Sequence, residues 1–128
     1  AKARELNEQA VNDGRCVIWQ GSVEQIIFAK DWFDTVTAFE TVYFWPNLHR
    51  CFREVYRVLK PGGTFLICNE CSGDTDKEWM RKIEGMTIYR DVQLKAVLEQ
   101  AGFRDIQVHK NNRGWLCVMA VKPAGNGE

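Results

Sequence analysis

The chain has 128 residues, 45% of them hydrophobic and 27% charged, which suffices for one domain around one core and excludes two. Seventeen basic residues cancel seventeen acidic ones, so no net field draws the chain to nucleic acid or to an anionic membrane. No apolar run approaches the roughly 20 residues that span a bilayer, and an odd count of five cysteines fits reduced thiols in a cytoplasmic protein better than a disulfide framework.

Ala3, Leu6 and Ala10 recur at helical spacing, and Gly14 supplies a stop. No capping residue precedes this first helix, so the sequence is expected to begin inside it. Cys16 to Trp19 reads as a short strand ending before Gly21, Gln20 to Asp31 as a loop with a helical turn, and Thr35 to Phe39 as a second strand. Leu48 to Leu59 is the best-patterned helix. Leu48, Cys51, Phe52, Val55, Tyr56 and Leu59 form its apolar stripe, His49, Arg50, Arg53, Glu54 and Arg57 a solvated side, and Pro46 is placed in its first turn. Lys60-Pro61-Gly62-Gly63 then reads as a helix stop before a buried strand, Thr64 to Cys68. In a wound sheet ligands gather beyond the carboxyl ends of the strands, which points to Asn69 to Gly73. Thr75-Asp76-Lys77-Glu78 has the capping-box arrangement and opens a short helix carrying Trp79, Met80 and Ile83. A further helix spans about Val92 to Ala101 and stops at Gly102. Asp105 to His109 and Trp115 to Val121 then form an antiparallel hairpin about Asn111-Asn112-Arg113-Gly114. Pro123 to Glu128 reads as a disordered tail.

In this order the elements resemble the carboxy-terminal two thirds of a class I S-adenosylmethionine-dependent methyltransferase of the small-molecule type. Gly21-Ser22-Val23-Glu24, Phe33-Asp34-Thr35-Val36, the sentence from Phe52 to Gly63, and Leu94 to Phe103 carry the likeness. The resemblance implies an α/β, Rossmann-like sheet, truncated to about five strands. These would be mostly parallel with a C-terminal antiparallel hairpin and helices on the faces, residues 1–122 forming the partial domain. No G-x-G turn follows a strand and opens a helix here, so the segment is expected to lack the glycine-rich cofactor loop and to be inactive alone. The strands about Val17 and Val36 are then expected to pair directly, in parallel.

For the parent enzyme the resemblance implies S-adenosylmethionine as cofactor and a small-molecule methyl acceptor. Ser22 and Val23 would meet the adenine, and Glu40, at a strand's carboxyl end, would contact the cofactor or accept a proton. Tyr43, Phe44, Trp45, Trp79 and Tyr89 are candidates for the substrate pocket, each with core packing as its plainer account. His49 is a weaker candidate base. Cys68-Asn69-Glu70-Cys71 has two-cysteine metal or redox spacing, but a structural zinc needs four ligands and no second pair exists, so no metal is expected. The competing reading is a non-enzymatic, methyltransferase-like module that binds a partner through exposed sheet.

Overall fold

The computed structural model describes residues 5–14, 21–70 and 87–124. Its elements are α1 (Glu8–Asn12), β1 (Phe33–Phe39), a 3₁₀ turn (Val42–Phe44), α2 (Leu48–Val58), β2 (Leu59–Asn69), α3 (Asp91–Ala101), β3 (Arg104–Lys110) and β4 (Leu116–Val121). The strands lie in the order β1-β2-β4-β3. β1 and β2 are parallel, with α2 as the crossover, while β4 runs against both β2 and β3. Three of the four described strands therefore point the same way, and the closing hairpin is antiparallel as the sequence indicates. The expected strand at Cys16–Trp19, its pairing with Val36, and the helix opened by Thr75 lie outside the described residues.

Alternation along the strands decides the faces. Ala38, Phe65, Ile67, Leu116, Val118 and Ala120 point to one side, where Phe52 and Val55 of α2 and Leu94 and Leu98 of α3 bury them. Phe65 is the hub: its ring lies edge-on to Phe52 at 5.4 Å and parallel to Trp45 at 6.1 Å, with Phe103 at 5.8 Å. The opposite face carries Thr37, Phe39, Leu66, Cys68, Cys117 and Met119, all half-buried or exposed, with Phe39 at 57% exposure.

Two helix boundaries differ from the sequence reading. Pro46 precedes the cap of α2 rather than occupying its first turn; Asn47 is the cap, its Oδ1 accepting the Arg50 N–H at 3.2 Å. The helix also ends at Val58, before Lys60, and Leu59 already belongs to β2. Between Phe33↔Leu59 and Thr35↔Thr64 the register gains three residues on β2, so Lys60-Pro61-Gly62 bulges out of the ladder. The bulge is held from the far end of the chain. Gly62 N–H donates to the Lys122 carbonyl at 2.7 Å, and Lys122 N–H to the Gly63 carbonyl at 2.9 Å. A Cβ on Gly63 would sit 2.8 Å from the Lys60 carbonyl oxygen and 2.9 Å from that of Asp34, so backbone packs where a side chain would be. The stop at Gly102 follows the reading, with φ at 111°.

Candidate functional site

The strand ends gather a small set of polar groups. β1 closes on Glu40, whose φ of 57° is left-handed, a conformation costly for a residue with a side chain. Three hydrogen bonds hold it there. Its N–H donates to the Cys68 carbonyl at 2.9 Å, while its Oε1 accepts the Tyr43 hydroxyl at 2.8 Å and the Glu70 N–H at 2.7 Å. The 3₁₀ turn after β1 buries Tyr43 and so aims that hydroxyl. The carboxylate is fixed at the carboxyl edge of the sheet, where α/β folds receive ligands.

Beside Glu40 a cavity of about 180 Å³ opens on the less covered face, lined by Phe39, Cys68, Asn69, Glu70, Trp115, Leu116 and Cys117. Asn69 ends β2 at 3% exposure, and among the described residues neither its Nδ2 nor its Oδ1 has a hydrogen-bond partner. An unpaired buried amide costs about 1–3 kcal/mol, so it is an orphan that a ligand group could satisfy. On the open face Cys68 and Cys117 stand directly opposite each other, Sγ to Sγ 3.0 Å. Burial first, then the hydrogen bond shared with the Cys117 thiol, push the Cys68 thiol up to about 11. Cys51, inside the core, is also pushed up to about 11, by burial.

A second cleft, of about 200 Å³, is formed by the loop Gly21–Phe28 and includes Ser22, Val23 and Ile26. Ser22 Oγ accepts the Glu24 N–H at 3.1 Å, which folds the turn and leaves the hydroxyl hydrogen to donate outward. Val23 is half-buried and packs on the core. What holds this loop is the polar side of α2. Glu54 Oε1 accepts the Ile26 N–H at 2.8 Å, and Arg57 Nη2 donates to the Ile26 carbonyl at 2.7 Å. Glu54 and Arg57 pair at 2.7 Å, and Arg50 Nε donates to the Glu24 carbonyl at 3.2 Å. The Arg57 hydrogen bond, aided by that of Ile26, holds the Glu54 carboxyl below the usual carboxylate range. The reading of Arg50, Glu54 and Arg57 as merely solvated is thereby corrected: spacing shows a polar side, and only the fold brings a loop 28 residues away onto it.

The remaining candidates divide. Trp45 is half-buried against Phe52 and Phe65, so its plainer account as core describes it. Phe44 is 51% exposed. Tyr89 is half-buried and packs on the core. His49 is exposed on α2 and is not among the described residues lining the Glu40 cavity. Trp79 and Cys71 lie outside the described residues. Among the described residues no three His, Cys, Asp or Glu side chains form a metal-holding group.

The observations on which a nucleotide-bearing cofactor can be judged are these two places: an apolar cleft with one outward hydroxyl at Ser22, and a strand edge with a fixed carboxylate and an orphan amide. They fit its adenine end and a polar end respectively. The family model described as "Methyltransferase domain" matches residues 1–67. Cycloartenol-C-24-methyltransferase of Arabidopsis thaliana is 31% identical over 127 residues, 97% of this chain and 33% of that protein. The 2-methyl-6-phytyl-1,4-hydroquinone methyltransferase of spinach, Spinacia oleracea, is 26% identical over 124 residues, covering 85% of this chain and 35% of that one. The chain thus spans about a third of the length of these two relatives. Among solved structures, phosphoethanolamine N-methyltransferase 2 of Haemonchus contortus, in complex with phosphomonomethylethanolamine and S-adenosylhomocysteine, superposes with a TM-score of 0.68. It is 18% identical, with 80% of this chain and 36% of that one covered. The family match over more than half of the residues, on a sheet ordered β1-β2-β4-β3, places this chain in the class I S-adenosylmethionine-dependent methyltransferases.

Proposed function

We propose that the protein to which these residues belong transfers a methyl group from S-adenosylmethionine to a small-molecule carbon or heteroatom nucleophile. The observation that carries the reading is Glu40, held in a left-handed conformation at a strand end by Tyr43, Cys68 and Glu70. Such strain persists where the surroundings over-determine it, and it concentrates at working sites. When bound, the cofactor supplies an electrophilic methyl on a sulfonium. The chain's own part is to bind and align. Ser22 offers a donor and Val23 an apolar wall to the adenine; Glu40 offers a fixed acceptor to a hydroxyl or amine of cofactor or acceptor. Tyr43 acts by positioning Glu40, and Phe44, Trp79 and Tyr89 are the proposed acceptor-side aromatics. His49 stays a secondary candidate base. Sterol and quinol acceptors of the two plant relatives support an acceptor of that small-molecule class.

The cofactor's amino-acid end has no glycine-rich partner in this sequence, so residues 1–128 alone are proposed to bind it weakly and to turn over little. Calorimetric titration of the 128-residue chain with S-adenosylmethionine tests this; micromolar affinity would refute it. The partner-binding alternative draws on exposed Phe39, Trp115 and Met119. It requires that a protein carrying this chain together with any preceding sequence also fail to bind cofactor, whereas the enzymatic reading requires binding that Glu40→Gln weakens at least tenfold.

A further inference from the structure

We propose that Cys68 and Cys117 are a redox site: a dithiol that closes to a reversible cross-strand disulfide by exchange with a low-molecular-weight disulfide. The two are direct register partners on antiparallel β2 and β4, with their sulfurs 3.0 Å apart. Opposed residues of an antiparallel pair have Cα separations of about 4.5 or 5.5 Å. Both lie inside the span of about 4.4–6.8 Å that a disulfide accepts. Closure therefore needs side-chain rotation and little backbone movement.

Access separates this pair from the third described cysteine. Cys68 and Cys117 are half-buried and line the open cavity at the carboxyl edge, whereas Cys51 is fully buried in the core. A small disulfide can reach the first two and not the third. The chemistry balances without any other reagent. The Cys117 thiolate attacks a sulfur of the small disulfide, whose S–S bond breaks and releases one small thiol; Cys68, whose thiol burial pushes up, is the second to react. The second protein sulfur then attacks the mixed disulfide and releases the other small thiol. Two electrons pass from the protein sulfurs to the small disulfide, and the two protons end on the departing thiols.

The link would bear on the site. The Cys68 carbonyl receives the Glu40 N–H, and Glu70, two residues on, donates to the Glu40 carboxylate. A covalent tie from Cys68 to β4 thus fixes the strand end that holds Glu40 and narrows the cavity wall between the two sulfurs. This inference concerns thiol chemistry and does not depend on methyl transfer.

The test is to equilibrate the full chain with oxidised and reduced glutathione at several ratios, quench with acid, and map a non-reducing digest by mass spectrometry. The expected result is loss of two hydrogens, with one linked peptide pair joining Cys68 to Cys117, reversed by dithiothreitol. Cys68→Ser and Cys117→Ser each abolish that link, and each leaves the remaining cysteine carrying glutathione. The oxidised chain should also melt several degrees above the reduced one, because the link closes a long loop. A dominant link from Cys68 to Cys71, or from either cysteine to Cys16 or Cys51, overturns the proposal. So does the absence of any internal link at the oxidising ratios, whether or not glutathione attaches to Cys68 or Cys117. The wild-type map decides the matter even if a serine variant fails to fold.

Discussion

Asn69 is buried at the end of β2 with both amide atoms unpaired among the described residues. If the amide serves a ligand, Asn69→Leu should raise stability by about 1 kcal/mol in urea unfolding, since it removes a buried polar group without a partner. The same variant should weaken cofactor or acceptor binding by the cofactor-binding protein; a destabilised variant with intact binding would contradict this. Glu54 makes the opposite case, a polar side chain with every reason to stay. Its carboxyl titrates below the ordinary value of 4.5 because Arg57 and the Ile26 N–H stabilise the charged form. It therefore contributes stability above pH 4.5 that is lost as pH falls through the lower, folded-state value. Glu54→Gln should flatten that part of the acid limb of a stability-versus-pH curve. It should cost about 1 kcal/mol at neutral pH, a modest figure because the Arg57 side chain is 37% exposed. At this scale the sequence was half legible. The places of Glu40 just after β1 and of Asn69 at the end of β2 could be read from the strand patterns. The grip of Glu54 and Arg57 on Ile26 could not be found, because its signal is a long-range contact to backbone atoms that carry no residue identity.

The elements show what local pattern can and cannot fix. α3, its glycine stop and the hairpin about Asn111–Gly114 follow from periodicity and turn chemistry alone. There the Asn111 side chain accepts the Arg113 and Trp115 N–H groups at 2.9 and 3.1 Å. The Lys60-Pro61-Gly62-Gly63 run is subtler. Proline and glycine signal an interruption, but whether it ends a helix or bulges a strand depends on Lys122 and Asp34, more than 25 positions away in either direction. Gly63→Ala should be costly for the same reason. The new methyl meets two backbone oxygens rather than a flexible side chain, and about 2–3 kcal/mol is expected in chemical unfolding. Gly21→Ala, whose Cβ meets nothing within 4 Å among the described residues, should change stability by less than about 0.5 kcal/mol.

The molecule as a whole is built one-sided among the described residues. Phe65, Phe52, Phe103 and Trp45 concentrate the core beneath α2 and α3, while Phe39 on the same sheet is 57% exposed. Phe65→Ala should cost about 3–5 kcal/mol and so consume much of the stability of a domain this size. Phe39→Ala should lie within about 0.5 kcal/mol of the parent; differential scanning calorimetry on both variants compares the two faces directly. The sheet order was not legible in any pattern of the residues, because nothing local tells β4 to insert between β2 and β3. One anchor then governs how the chain can be handled. Lys122, just past β4, has its ammonium on the Leu59 carbonyl at 2.8 Å, on Asp31 at 3.0 Å and over the Tyr56 ring at 4.8 Å. A purification tag or reporter joined directly after Val121 would replace that lysine and release the loop, the helix exit and the bulge together. Any such appendage should therefore be attached no earlier than Ala124.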